Sequence, residues 1–250
     1  ADAKGGTAVS SAAASGHGHV VALLLSHGAT PNNASPEGQT ALMAAAESGD
    51  EEAVKALLSA GADAQAKNGA GVSPLAAAVL AGQASVVAIL ADRAPGALDH
   101  ALQLAAVKGH TPVLSVLLDR GASPHSVSPD GRTPMMFAAQ YGHLEAVKLL
   151  RQRGGAVTAL DRELKTPASY AEENGHDGLA AYLREPDRNA DPFLPDIPPQ
   201  RLTEVVFTAD APAGLESLAA SVRLIDYHSR PLPVMVVEVP EGDSGASIRM

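Results

Sequence analysis

Six glycines set the frame of this chain: Gly16, Gly49, Gly82, Gly109, Gly142 and Gly175 follow one another at intervals of 33, 33, 27, 33 and 33 residues. Self-similarity at such a period implies units that cannot bury their apolar surface alone and must stack on their neighbours. Nine residues before five of these glycines stands a hydroxyl, in Thr7, Thr40, Ser73, Thr133 and Thr166, and His100 takes that place in the unit after the short interval. Alanines fill the space between. After each glycine comes a second apolar run, such as "EAVKALLSAGA", and most of these end in another glycine, where a helix stops on a left-handed residue. Each unit therefore predicts a short helix, a tight turn, a second helix and a glycine stop, with Gly38, Gly71 and Gly131 supplying turn chemistry between units. Apolar residues make up 46% of the chain but aromatics only 3%, so the core is built from Ala, Val and Leu, small enough for backbones to approach closely. Packed helices suit that composition better than a sandwich.

The stretch "DGRTPMMFAAQYGHLEAVKLL", from Asp130 to Leu150, resembles the D-x-x-G-x-T-P-L-H-x-A-A-x-x-G-H motif of ankyrin repeats, with one residue fewer before its glycine. The resemblance covers about residues 5–183 in six units. It implies a mainly α fold, an ankyrin-repeat solenoid of stacked helix pairs over residues 1–184; the residues beyond it read as a proline-rich linker at 185–200 and a small β-rich segment at 201–250. Two departures from the family pattern stand out. The usual His after Thr-Pro-Leu, which ties neighbouring hairpins together, is here Ser10, Met43, Ala76, Gln103, Met136 and Ser169. Between units three and four the family's Gly-Ala becomes Ala94-Pro95, and the six missing residues amount to most of one hairpin finger. The row of fingers is expected to carry a notch there.

The resemblance also implies a concave groove, lined by the variable positions that flank the Ala-Ala pair of each first helix. These are Ala77, Leu80 and Ala81 in unit three; Leu104, Val107 and Lys108 in unit four; Phe137, Gln140 and Tyr141 in unit five; and Tyr170, Glu173 and Asn174 in unit six. Units one and two offer mainly Ser11, Ala14, Ser15, Ala44, Glu47 and Ser48. Three of the seven aromatics fall on these positions, and aromatic anchors are the residues most often found at binding hot spots. Leu80, Leu104, Val107, Lys108, Phe137, Gln140, Tyr141, Tyr170 and Glu173 are therefore the expected partner-binding surface, with the rings exposed and outside the core between repeats.

Catalytic chemistry finds no foothold in the pattern. There is no G-x-S-x-G, no phosphate-cradling glycine loop and no histidine-carboxylate metal spacing. "DYHS" at Asp226 to Ser229 carries suitable residue types, but a solvated strand end accounts for them. His110, His143 and His176 directly follow the turn glycine, as His17 does, and are expected to serve the helix–helix turn. His17 and His19 form His-x-His, but two ligands fall short of a metal site, and no cofactor is implied. Zero cysteines exclude disulfides and thiol nucleophiles.

Beyond Arg184 the grammar changes: "EPDRNADPFLPDIPPQ" carries five prolines in sixteen residues, and "RLTEVVF", "SVRLIDY", "LPVMVVEV" and "ASIRM" read as short strands. The net charge is −10, of which −6 falls in residues 185–250. Such a surface repels phosphate, so nucleic acid is not the expected partner. No apolar run is long enough for membrane insertion. The expected function is a non-enzymatic scaffold or adaptor binding another protein through the groove, which the chain's own C-terminal segment could also cover. The alternative is an inhibitor or immunity-type protein docking over an enzyme's active site. The start at Ala1 without Met and the absence of cysteine lean towards a processed bacterial envelope or periplasmic protein, with the cytoplasm as the alternative.

Overall fold

A computed structural model of the chain describes residues 7–184 and, beyond them, two strands of four residues. By contacts the chain divides into two units, Ala1–Pro186 and Asp187–Met250. In the second, β1 (Val222–Ile225) runs antiparallel to β2 (Val234–Val237), with Val222 opposite Val237 and Ile225 opposite Val234. The β-rich segment expected over 201–250 is not supported beyond this pair. The rest of it, the proline-rich stretch 185–200 and Asp226–Ser229 lie outside the described residues.

The first unit is a row of helix pairs: α1 (Ala8–Ala14) with α2 (Gly18–Ser26), α3 (Ala41–Ser48) with α4 (Glu51–Ser59), α5 (Pro74–Leu80) with α6 (Ala84–Ala91), α7 (Leu98–Lys108) with α8 (Thr111–Asp119), α9 (Pro134–Gln140) with α10 (Leu144–Gln152), and α11 (Pro167–Glu173) with α12 (Asp177–Arg184). The odd-numbered helices pack on one another as an inner layer, and α2, α4, α6, α8 and α10 form an outer one. Helices of seven to eleven residues are marginal on their own, so their ends and their packing must supply the stability. Thr7, Thr40, Ser73, Thr133 and Thr166 each cap an inner helix by accepting the N–H three residues on. The residues that replace the family's histidine complete several of these caps. The Ser10 hydroxyl accepts from the Thr7 N–H at 2.8 Å, Ser169 from Thr166 at 3.4 Å, and the Met136 sulfur from Thr133 at 3.3 Å. Ala45, Ala78, Ala105, Ala138 and Ala171, one per repeat, are wholly buried where the inner helices come closest. A larger side chain there would force the layer apart.

The repeats are sewn together at the turn. Each turn glycine adopts a left-handed conformation, with φ between 67° and 80°, and at Gly49, Gly82, Gly109 and Gly142 the absent Cβ makes room for the next repeat's turn side chain. A Cβ on Gly109 would lie 2.5 Å from His143 Nδ1, and one on Gly142 would lie 2.6 Å from His176 Cε1. Seated there, the turn side chain binds the carbonyl just before the preceding glycine turn. Gln83 Nε2 donates to Glu47 O at 3.2 Å, while His110 Nε2 lies 3.3 Å from Leu80 O and His143 Nε2 3.0 Å from Val107 O. His110 and His143 thus serve the turn as the resemblance implied, and His176 is seated against Gly142 in the same way.

The fingers between helix pairs form a second row of contacts. Each folds around one polar side chain: Ser35 accepts the Gln39 N–H, Asn68 those of Ala70 and Val72, Ser128 that of Arg132, and Asp161 those of Glu163 and Lys165. Ser128 therefore opens the turn of "SPDGRTP", and the apparent one-residue contraction counted from Asp130 disappears. Adjacent fingers are joined by backbone bonds, Gly69 N–H to Glu37 O at 2.7 Å and Arg162 N–H to Asp130 O at 3.2 Å. The corresponding residues of the other two fingers are Pro36 and Pro129, which have no N–H to give. Those are the two fingers with no finger before them, because between α6 and α7 the chain makes only a 3-10 turn, Pro95–Ala97. There α7 begins early, so His100 lies inside the helix rather than at its cap, and the Asp99 carboxylate accepts the Ser123 N–H at 2.8 Å. Asn32 does the same for Asp63 in an ordinary finger, also at 2.8 Å.

Two substitutions test this construction. Gly109→Ala combines the left-handed backbone penalty with displacement of the His143 ring, and is expected to cost about 2 kcal/mol or more. Leu164 occupies the place of Gly38, Gly71 and Gly131 at a φ of 61° and is 77% exposed. Leu164→Gly should stabilise the protein by about 0.5 to 1 kcal/mol, the relieved strain exceeding the extra chain entropy. Urea unfolding of both variants reads the two signs.

Candidate partner-binding surface

The side of the inner helices that faces the fingers is fixed by three hydrogen bonds, each reaching eight residues along the chain. Gln39 Nε2 donates to Glu47 Oε1 at 3.2 Å, Arg132 Nη1 to Gln140 Oε1 at 3.1 Å, and Lys165 Nζ to Glu173 Oε2 at 2.9 Å. In unit three the same two positions are Val72 and Leu80, and in unit four, where the finger is missing, the helix position is Val107. At this position the finger-side face is therefore polar in units two, five and six and apolar in units three and four. Leu80 is 37% and Tyr141 51% exposed, Lys108 and Glu173 are exposed, and Leu104, Val107, Phe137 and Gln140 are half-buried. Leu104 and Phe137 pack partly on the core. The Tyr141 ring stacks on His143 with centroids 6.2 Å apart, so this exposed aromatic is held by the same imidazole that sews units four and five together.

Tyr170 departs from the sequence expectation. Its ring is 3% exposed and its hydroxyl donates to the Asp161 carboxylate, so it belongs to the core between the last finger and α11 rather than to a contact surface. Ala77, at 1% exposure, is likewise buried. The equivalent residue of unit two is Ala44, too short to touch a finger. A tyrosine spans that gap. Phe137 is a second correction, since part of its ring is spent on the core. The Arg132 guanidinium lies 4.6 Å from the centroid of Tyr170 and 5.9 Å from that of Phe137, while pairing with Asp130 at 2.9 Å. Arg132 thereby clamps a finger to two successive inner helices, a role its place in "DGRTP" does not disclose.

The electrostatics follow this packing. Burial first, then the hydrogen bond to Asp161, pushes the Tyr170 hydroxyl up to about 12. Burial opposes ionisation of Asp161, but the Tyr170 hydroxyl, the N–H groups of Lys165 and Glu163 and the Arg132 charge outweigh it and hold the carboxyl below its usual range. The Ser128 hydroxyl does the same for Asp130. Val127 and Leu160, 50% and 56% exposed at equivalent places on the last two fingers, add apolar surface that the sequence reading missed. The signal available was their alignment, 33 residues apart, with Ala34 and Lys67. Among the described residues no group of three or more His, Cys, Asp or Glu is placed to hold a metal ion, the His17 and His19 rings standing 6.3 Å apart. No described helix is long and apolar enough to cross a membrane.

Because the Asp161 carboxyl is depressed in the folded state, its contribution is fully present above the unfolded value of ~3.9 and fades as pH falls through the folded one. Tyr170→Phe removes the principal donor and should cost about 1 to 2 kcal/mol at neutral pH. The gap between variant and wild type should narrow as pH falls through the depressed folded value of Asp161, below which the carboxyl is protonated in both. Urea unfolding across the acid range measures it.

Comparison with known proteins accords with this geometry. The family model for ankyrin repeats, built on three copies, matches residues 1–68, 49–127 and 102–196. Among solved structures, the crystal structure of the human ASB11 ankyrin repeat domain is similar with a TM-score of 0.63 over 74% of this chain and 86% of that one, at 23% identity. At that identity the likeness is one of fold. None of the curated proteins matches. With the family model spanning well over half its length, the chain belongs to the ankyrin-repeat family.

Proposed function

We propose that this protein is a non-enzymatic scaffold or adaptor that grips a partner protein through the finger-side face of units three to five. Ankyrin repeats mediate protein–protein interaction, and the observation that carries the reading here is the apolar centre of that face. Exposed Leu80 and half-buried Val107 hold the place at which units two, five and six have hydrogen-bonded polar pairs, and exposed Tyr141 directly follows the Gln140 of such a pair. Water over such a patch is released when a partner covers it. Tyr141 is the natural anchor, its orientation already restricted by His143, so little rotamer entropy is lost on binding. Lys108, Gln140 and Glu173 supply the polar rim. Half-buried Leu104 and Phe137 form its floor. The inhibitor reading draws on the net charge of −10, but Glu47 and Glu173, acids of this face, each bond to a neighbouring side chain.

The test is capture of a partner from extracts of the source cells by wild-type chain, by Tyr141→Ala and by Glu47→Ala in parallel. A specific partner should be retained by wild type and Glu47→Ala, and Tyr141→Ala should weaken it by about 2 kcal/mol. The thermal midpoint should stay nearly constant, because the ring is half exposed. Equal retention by all three would overturn the reading, and a captured enzyme whose turnover falls on binding would favour the inhibitor.

A further inference from the structure

The shortened connection between units three and four leaves the place of one finger open, and the glycines of the neighbouring fingers show how far. A Cβ on Gly38 would lie 3.0 Å from Asn68 Cα of the next finger, and one on Gly131 would lie 3.1 Å from Arg162 N of the finger after it. At Gly71, the equivalent residue of the finger before the gap, a Cβ would meet nothing within 4 Å. The main chain agrees. Glu37 O and Asp130 O each accept an N–H from the following finger, whereas Ala70, which holds their place, is exposed and its carbonyl accepts from no described residue. Across the gap, Pro129 has no N–H to send back. The gap therefore has a free main-chain acceptor on its near edge and no matching donor on its far one.

Its surface is apolar. Val72 holds the position from which Gln39 accepts the Asn68 amide at 3.2 Å and Arg132 covers the Tyr170 ring, but it has no next finger to meet. Leu104 and Val107 of α7 are half-buried where a finger of their own repeat is missing. Tyr170, the counterpart of Leu104, shows what a finger does there, since Asp161 closes it in. Charge is as specific. Exposed Lys67, on the finger before the gap, and exposed Lys108, next to Val107, pair with no described acid, whereas Arg120, Arg132, Arg153 and Lys165 of the following repeats all do. The acids of the same stretch are already engaged, Asp99 with the Ser123 N–H and Asp130 with Arg132. On a chain of net charge −10, these two cations are left for an acid from outside.

We propose that an extended loop of the partner, acidic and apolar in composition, takes the place of the missing finger. One of its backbone N–H groups donates to Ala70 O, its apolar side chains cover Val72, Leu104 and Val107, and its carboxylates meet Lys67 and Lys108. The main-chain bond on an open edge aligns the loop and the side-chain contacts select it. The inference rests on the groove reading above and names the chemistry of the partner at the centre of that groove.

The probe is a displayed library of random peptides selected on the full chain. Its binders are titrated against wild type, Lys108→Glu, Tyr141→Ala and a chain in which a copy of Gly61–Ser73 replaces Ala94–His100, restoring the 33-residue interval and filling the gap with a finger. Val72→Arg, which copies Arg132, obstructs the same place by one side chain and serves where the restored finger fails to fold. Selected peptides should carry Asp or Glu beside bulky apolar residues. They should bind both gap-filled chains and Lys108→Glu about tenfold or more weakly than wild type, and binding to Lys108→Glu should depend less on salt. Equal binding to wild type and a folded gap-filled chain overturns the proposal, as do peptides without acidic residues or a library that yields no binder. Weakening by Tyr141→Ala alone overturns this inference and keeps the groove reading. Weakening by the gap variants alone supports the gap site and removes Tyr141 as the anchor.

Discussion

The architecture depends on one contact, repeated: a left-handed glycine without a Cβ, and the imidazole or amide of the next repeat seated in the space it leaves. The contact sets the distance between repeats, because a methyl at Gly109 or Gly142 would occupy the ring's position. It also sets register, since Nε2 of His110 and His143 reaches the carbonyl of Leu80 and Val107. Those two residues carry the side chains of the apolar centre. The stitch that holds the solenoid together therefore also aims its candidate binding surface, and Tyr141 rests on one of the stitching rings.

The shortened connection shows how little of a repeat is needed to continue the stack. Helix packing passes through it undisturbed, as the burial of Leu98, Ala101 and Leu102 attests. What it interrupts is the finger row, and the chain compensates chemically on both sides. Asp99 takes over the hydrogen bond an Asn makes elsewhere, and Pro129 removes a donor whose acceptor is missing. Prolines at Pro36 and Pro129 leave those finger edges unable to recruit a foreign strand. The same loss of a finger leaves no finger side chain beside Val107 at the place where Arg132 meets Gln140, whereas beside Leu80 the finger is present and offers Val72.

Aromatic placement shows how local environment decides a residue's role. Phe137 and Tyr170 hold the same position of consecutive repeats, yet one is half open and the other closed. The difference lies in the last finger, where Asp161 receives the Tyr170 hydroxyl and Arg132 covers its ring. A buried phenol is acceptable only because that carboxylate accepts its proton. Leu164, forced into a left-handed turn, belongs to the same finger, so the end repeat combines backbone strain with a compensating polar network.

Fold class, repeat number, helix caps and the turn role of the histidines were legible in the sequence, because each depends on residue type at a fixed period: glycine where φ is positive, a hydroxyl where N–H groups lack partners, alanine where helices touch. The family followed from the resemblance of Asp130 to Leu150 to its motif, and Tyr141 and Leu80 are exposed at groove positions that the resemblance implied. Exposure at the remaining groove positions was not legible, since it depends on the neighbour across the gap. Tyr170 was drawn inward by an acid nine residues away, and Phe137 was partly covered by Arg132. The exposed pair Val127 and Leu160 and the proline placement at unpaired finger edges emerged only from the tertiary structure. They are properties of which repeat stands beside which, and a period read along one chain does not contain them.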